Sequence, residues 1–349
     1  MMDQRIELPR SEGNCDGYPG GPSKFSVVAR RTDKMILNAK STYAETYRHL
    51  FDVSPPESVT IGESNADIIS PARGFMTPFD FTMQLQVGCP GGCLFCYVPA
   101  GGRLTPSAVK GPQGRTWGYE VRNKIDVSKK LRKHVEKGTL ADKTVYWSGI
   151  TDPYAAPPNV TQDLWQTLLD TPQPLRPRRI AVQTRFRPDR DLDLLTEYRR
   201  NTSPSDAGPP VVMSFSVGTD RNDLIRAWEK ATPSYDQRMA SINTLCEAGI
   251  YVVATLSPFG FWNDLQGTLR QLKSFGVSYI TVLFMKEKTR SANTPSLFLA
   301  YLRNEFPQLL DPVWQQKQLS EIQEVFGHER VMVGQDGFAS LISPHLVNR

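Results

Sequence analysis

The 349-residue chain carries a formal net charge of +5, with 39% hydrophobic, 10% aromatic and 22% charged residues. That balance is ordinary for a globular protein, and the length allows one large core or two modest ones. No run of 18 apolar residues occurs and Met1-Met2-Asp3-Gln4-Arg5 has no apolar stretch behind it, so no membrane span or secretory signal is expected and the protein reads as cytoplasmic.

Residues 1–75 read as an irregular N-terminal extension, with turn formers in Gly17-Tyr18-Pro19-Gly20-Gly21-Pro22 and one short helix over 42–51. From Phe79 onward apolar strands alternate with amphipathic stretches. Strands are predicted over 81–87, 144–148, 179–184, 211–217, 250–256, 279–284 and 330–333. Helices are predicted over 124–136, 162–169, 190–199, 235–248, 264–275 and 315–326. Gly249 and Gly276 stand where a helix needs a C-terminal glycine before the next strand. The pattern is α/β. Residues 76–290 predict a partial (β/α)6-type TIM barrel, and 291–349 a C-terminal helical and strand extension completing the barrel side. A doubly wound sheet is the rival, but no Gly-x-Gly-x-x-Gly turn follows the first strand.

Three of the five cysteines fall within eight residues, in Gly88-Cys89-Pro90-Gly91-Gly92-Cys93-Leu94-Phe95-Cys96-Tyr97. Clustering of that kind in an unsecreted chain points to metal or redox chemistry rather than cross-linking. Cys89, Cys93 and Cys96, spaced Cys-x3-Cys-x2-Cys on a glycine-rich loop after a strand, can wrap three corners of one [4Fe–4S] cluster and leave the fourth iron open. Zinc is the alternative; it wants four ligands, and His49, His134 and Cys246 are distant and show no paired spacing. Cys15 sits in the leader, and Cys246 reads as a buried small hydrophobe.

This loop resembles the signature of the radical S-adenosylmethionine superfamily, with Phe95 as the aromatic residue before the last cysteine. More narrowly, the chain resembles the spore photoproduct lyase or DNA repair photolyase-like branch. The matching pieces, in family order, are Pro78-Phe79-Asp80-Phe81, Ser148-Gly149-Ile150-Thr151-Asp152-Pro153-Tyr154, Thr184-Arg185, Arg190-Asp191-Leu192-Asp193-Leu194-Leu195 and Ser214-Phe215-Ser216-Val217. Glu229-x2-Thr232-Pro233-Ser234-x3-Arg238, Ala248-Gly249-Ile250 and Ser257-Pro258 continue the series. The resemblance implies two cofactors, the cluster and S-adenosyl-L-methionine, and an external electron donor such as flavodoxin or ferredoxin. Reductive cleavage would give a 5′-deoxyadenosyl radical that abstracts a substrate hydrogen.

By the same resemblance Phe95 lies beside the cofactor, and Ser148, Gly149, Thr151 and Asp152 receive its ammonium group. Arg185, where the lyase has lysine, pairs with its carboxylate, and Ser214 and Ser216 contact its ribose or carboxylate. On the residues alone, Thr151-Asp152-Pro153 is equally a capping turn, and the two serines equally pack a strand. Glu229 and Arg238 form a buried pair or fix a loop. Trp147, Tyr154, Phe259 and Trp262 are candidates to line a substrate cavity.

The sequence also departs from the lyase. Gly149 stands where the lyase has its cysteine hydrogen donor, Phe95 where it has a tyrosine, and the stretch Asp311–Gln318 lacks a basic, aromatic DNA grip. Tyr97 matches a second relay tyrosine and is the candidate catalytic residue. A radical enzyme without lesion repair is therefore expected, acting on a small molecule, nucleotide or peptide, with no membrane partner. DNA or RNA modification is the alternative, motivated by Lys124, Lys129, Lys130, Arg132, Lys133 and Lys137 and by Arg176, Arg178, Arg179, Arg185, Arg187 and Arg190. A non-catalytic zinc module is the third reading.

Overall fold

The computed structural model describes residues 42–100, 106–202, 208–285 and 294–342. Cys15, the Gly17–Pro22 run and most of the predicted extension 1–75 lie outside the described residues. The helix Tyr43–Phe51 opens with a capping box, Thr42 accepting from the Glu45 N–H while the Glu45 carboxylate accepts from the Thr42 N–H. The segment read as irregular then supplies two strands, β1 (Thr60–Ser64) and β2 (Ile69–Pro71).

The predicted strand 81–87 is in fact two short ones. β3 (Phe81–Met83) joins the main sheet, and β4 (Gln86–Val87) pairs antiparallel with β5 (Glu120–Lys124) in a separate three-stranded sheet, β1-β5-β4. The break falls at Gln84, whose side chain bonds the distant turn Ser148–Thr151. The predicted helix 124–136 likewise begins later, at Val127, because Asp126 takes a φ of 53° between β5 and the helix Val127–Glu136.

The main sheet has eight strands, ordered β11-β10-β9-β8-β7-β6-β3-β2. β6 (Thr144–Trp147), β7 (Arg179–Thr184), β8 (Val211–Ser216), β9 (Tyr251–Leu256), β10 (Tyr279–Val282) and β11 (Val331–Val333) run parallel to β3, and only β2 is antiparallel. The sheet does not close on itself: β2 and β11 are its two edges. Gly249 (φ 74°) and Gly276 (φ 93°) end the helices before β9 and β10, as a left-handed C-terminal residue should.

Side chains alternate strictly along the parallel strands. Val145, Trp147, Ile180, Val182, Val211, Met213, Phe215, Val252, Ala254 and Leu256 pack outward under helices that contribute Leu131, Trp165, Tyr198, Ile242, Leu269 and Phe326. The other face begins apolar, with Tyr146, Ala181, Val212, Val253 and Tyr279. Trp147, Tyr154 and Phe259 are 0–1% exposed in the outer core, and Trp262 packs against it. None of these four lines the cavity described below: alternation along β6 turns Trp147 toward the helices, and Tyr154, Phe259 and Trp262, in the segments after β6 and β9, pack into the same outer core.

The inner face is covered by the short helix Gln335–Ala339. Phe338 meets Phe75, from the segment before β3, at 4.9 Å and Tyr146 at 6.2 Å between ring centroids. Gln335 Nε2 donates to the Phe75 carbonyl at 3.1 Å. A segment that follows one edge strand thus touches a segment near the other edge, which requires the sheet to curl. Replacing Phe338 with Ala should cost about 3–5 kcal/mol, as for other buried phenylalanines. The thermal midpoint should fall by several degrees; an unchanged midpoint would show that this helix does not secure the inner face.

Candidate active site

Immediately after β4 the chain enters the cysteine loop. Gly88 has a φ of 84°, and a Cβ there would meet the Glu120 carbonyl oxygen at 2.4 Å. The loop curls through Gly92 N–H to Cys89 carbonyl (3.2 Å) and Cys96 N–H to Cys93 carbonyl (3.0 Å) bonds. Its outer side is held by the Tyr43 hydroxyl on the Gly92 carbonyl (2.7 Å) and the Lys230 N–H on the Gly91 carbonyl (3.0 Å). A Cβ on Gly118 would come within 2.4 Å of the Gly92 Cα, so glycine at 118 is what allows that packing.

Cys89, Cys93 and Cys96 are free thiols lining one cavity of about 220 Å³. Burial pushes the Cys89 thiol up to about 11, with the Asp152 charge adding to it, and pushes Cys96 up to about 12. Cys93 is raised further by burial, against which the positive charge of Arg185 works. Among the described residues no three His, Cys, Asp or Glu side chains converge where one ion could be held. A tetrahedral zinc site needs four such donors on one point. Three thiols spread along a curled loop suit a cubane, in which each thiolate takes its own iron.

The β6–helix loop forms the next wall. Ser148 (φ 148°) and Gly149 (φ 109°) both lie at positive φ. The Gln84 side chain clamps this turn: its Nε2 donates to the Ser148 carbonyl, and its Oε1 accepts from the Thr151 hydroxyl (3.1 Å) and N–H (3.3 Å). The Tyr97 hydroxyl donates to the Gly149 carbonyl. Asp152 Oδ1 accepts from the Thr184 hydroxyl (2.6 Å) and the Tyr154 N–H (3.0 Å), and Oδ2 accepts from the Arg185 N–H (2.8 Å). The capping role considered for Asp152 is therefore present. A carboxylate has about four acceptor positions, so room for one further donor remains.

Arg185 follows β7. Its Nη1 donates to Glu229 Oε1 at 2.9 Å, and its guanidinium lies 5.0 Å from the centre of the Phe95 ring. The other oxygen of Glu229 accepts from Arg238, which is 0% exposed, and from the Thr232 hydroxyl. Glu229 and Arg238 do pair, but as part of a chain that ends on Arg185 at the cavity wall. Burial works against the Glu229 charge, yet the guanidiniums of Arg238 and Arg185 hold its carboxyl below the usual range.

Beyond its apolar half, the inner face of the sheet turns polar. Gln183 Nε2 donates to Ser216 Oγ (2.6 Å), and its Oε1 accepts from Ser214 Oγ (2.6 Å). Ser214 also bonds Thr255 Oγ1 at 2.7 Å. Ser216 lines the cavity but Ser214 does not. Ser214 is held inside the sheet by its neighbours, so its expected ligand contact is replaced by a link that orients Gln183. The cavity thus gathers Phe95, Tyr97, Ser148, Gly149, Thr151, Asp152, Arg185 and Ser216 with the three cysteines. It adds Gln183 and Tyr146, which the motifs did not single out. The alternation that marked Ser214 and Ser216 as facing one way would have found both.

Set beside solved structures, the chain is similar to a cysteine-to-serine mutant of spore photoproduct lyase, with a TM-score of 0.50 and 13% identity over 92% of this chain and 87% of that one. Spore photoproduct lyase complexed with dinucleoside spore photoproduct gives a TM-score of 0.48 and 13% identity over 88% of this chain and 93% of that one. TsrM, a radical S-adenosylmethionine methyltransferase from Kitasatospora setae with cobalamin and a [4Fe–4S] cluster bound, gives 0.39 and 13% over 58% of this chain and 33% of that one. No protein-family model matches the chain, and no curated protein matches it. The first likeness places the chain in the fold of spore photoproduct lyase.

Glu229→Gln removes the only anion between Arg185 and Arg238 in this chain of contacts and should destabilise the protein by about 3–5 kcal/mol. The Glu229 pKa is depressed in the folded state, so its contribution is fully present above about pH 5. It is lost progressively as the pH falls from about 4.3, the unfolded value, toward the folded one. Thermal unfolding of wild type and variant should therefore diverge at neutral pH and converge in acid. A constant difference across that window would show that the carboxylate charge is not what holds the pair.

Proposed function

We propose that this chain is a radical enzyme that binds one [4Fe–4S] cluster through Cys89, Cys93 and Cys96 and S-adenosylmethionine in the adjoining cavity. The observation that carries the reading is the convergence of three thiols, Arg185, Asp152 and Ser216 on one cavity at the C-terminal ends of parallel strands, where α/β architectures of this kind gather function. We read the open, curled sheet as a partial (β/α)6-type barrel extended by β11. When bound, the cluster and S-adenosylmethionine supply a reducing electron and a 5′-deoxyadenosyl radical for hydrogen abstraction. A flavodoxin or ferredoxin is the kind of donor that would deliver the electron.

The chain's own residues bind, orient and exclude. Arg185, held at Nη1 by Glu229 and more loosely at Nη2 by the Ser257 carbonyl (3.4 Å), has further N–H groups left for the cofactor carboxylate. Asp152 has an acceptor position left for the ammonium group, and Gly149 lets the ligand approach the backbone. Ser216, oriented by Gln183, keeps its O–H for a ribose or carboxylate oxygen. Phe95, beneath the Arg185 guanidinium, forms an apolar wall beside the last cysteine.

The substrate is a small molecule, nucleotide or peptide on this reading. The nucleic-acid alternative draws on two basic clusters, and many of their members are engaged internally. Arg176 donates to the Thr171, Asn201 and Leu169 carbonyls, Arg179 to Pro209 and Arg190 to Ala156. Lys124 and Lys130 tie down the carbonyls of Asp67, Asn65 and Ala66.

Replacing all three cysteines with Ala should abolish bound iron, the brown colour and dithionite-dependent formation of 5′-deoxyadenosine. About four irons per chain retained in that variant would exclude the assignment. Arg185→Ala should weaken S-adenosylmethionine binding by about 1.5–3 kcal/mol, the scale of a lost charge-assisted hydrogen bond. The wild type should form 5′-deoxyadenosine without repairing spore photoproduct. Among the described residues no thiol except the three of the loop lines the cavity. Mass spectrometry of the dinucleotide lesion after anaerobic incubation decides this: recovery of intact dinucleotide above background would reverse it.

A further inference from the structure

We propose that Tyr146 is a substrate-recognition residue, whose phenol donates a hydrogen bond to a carbonyl or similar uncharged acceptor on an otherwise apolar or aromatic substrate group. The inference deepens the reading of this cavity as a radical enzyme's substrate chamber.

Tyr146 sits on the inner face of β6, in register with Ala181 of β7, one layer below Ser148 and Gln183. It is 2% exposed, yet it lines the cavity. Its ring is fixed from two sides, by Phe79 at 5.0 Å and Phe338 at 6.2 Å between centroids. Its hydroxyl has no hydrogen-bond partner among the described residues. Tyr97, the other phenol on this wall, differs in having its hydroxyl on the Gly149 carbonyl. The indole Nε1 of Trp147, next in sequence, is also unpaired, but it points into the sealed outer core rather than into a cavity.

A phenol taken this far from bulk water and left without a partner carries an unfavourable desolvation term that a ligand acceptor, or a displaceable water, can relieve. The walls around it narrow the chemistry of that ligand. Phe75, Met76, Leu283 and Phe338 are apolar. The ionisable groups that act on Tyr146 are Tyr97 and Asp152, and the Asp152 carboxylate already accepts three hydrogen bonds. Burial first, then those two groups, pushes the Tyr146 phenol well above its ordinary pKa, so it remains a donor throughout the physiological range. A fixed donor among apolar walls favours a neutral ring or chain bearing one acceptor. It discriminates against the same skeleton without the acceptor, because the phenol would stay unpaired.

The test uses the anaerobically purified chain and two probes of the same shape, acetophenone and α-methylstyrene, which differ by a carbonyl oxygen in place of a methylene. Binding is followed by ligand-observed NMR in wild type and Tyr146→Phe, with and without S-adenosylmethionine. The wild type should prefer the ketone by about 3- to 10-fold, the scale of one net hydrogen bond, and Tyr146→Phe should abolish that preference while still binding the hydrocarbon. The variant's thermal midpoint should equal or exceed that of wild type, since the deleted hydroxyl has no partner among the described residues. An equal preference in both proteins, failure of the wild type to bind either probe, or a lowered midpoint in the variant would overturn the proposal. Formation of 5′-deoxyadenosine is measured on the same preparations. Its absence in wild type would count against the radical reading alone, because probe binding does not depend on it.

Discussion

A carboxylate removed from water needs donors, and Asp152 draws its three from two neighbouring strand ends. The Tyr154 N–H comes from its own loop after β6, and the Thr184 hydroxyl and Arg185 N–H come from the end of β7. The main-chain N–H of Asp152 itself is directed at the Cys89 sulfur. One residue therefore joins the cysteine loop, the β6 loop and the start of the Arg185 segment. Desolvation still raises its pKa above the ordinary carboxylate value, because the hydrogen bonds offset the burial only in part. A residual demand for a further donor or positive charge therefore remains at this carboxylate. The three donors that hold the carboxylate in the turn leave it with about one acceptor position unfilled.

The layering of the inner face follows from strand geometry. Alternate residues of β6 to β9 share that face, apolar at Tyr146, Ala181, Val212 and Val253 and polar two residues later at Ser148, Gln183, Ser214 and Thr255. The apolar layer can be roofed by Phe338 and Met76 because it asks for no hydrogen bonds. The polar layer satisfies itself laterally: register pairs Gln183 with Ser214 across β7 and β8, and side-chain bonds carry the chain on to Thr255. A polar layer placed lower would be sealed under the Gln335–Ala339 helix, and an apolar layer placed higher would leave the cavity without donors. The transition lies where the cysteine loop folds over the strand ends.

Much of this was legible in the sequence because its signals are local. Cysteine spacing, glycine after the helices at 249 and 276, and period-two alternation each depend on a few adjacent residues. They correctly located the strands from β6 onward and the loop that carries the thiols. What escaped depends on distant partners. Gln84 ends β3 because its amide serves a turn more than sixty residues later, and no local pattern records that. Ser214 has the alternation of a wall residue, but Gln183 and Thr255 claim its hydroxyl. Basic residues around β7 look like a patch until Arg176 and Arg179 are seen on main-chain carbonyls. For the aromatic residues at 147, 154 and 259, proximity to strand ends suggests a cavity wall, but all three pack into the outer core beneath the helices.

The two arginines on Glu229 bear on the cysteines as well as on each other. Arg238 and Arg185 set two positive charges against one carboxylate, and the surplus acts on three thiols that would have to lose protons to hold the proposed cluster. Burial alone raises all three thiols, so the loop by itself resists ionisation. The positive charge of Arg185 acts on each of them in the opposite direction. Glu229 in turn fixes one nitrogen of that guanidinium, and the Ser257 carbonyl accepts from another. The buried Arg238 thus serves the site from outside it. It shares the one Glu229 carboxylate with Arg185, so the two guanidiniums keep a net positive charge next to the cysteine loop.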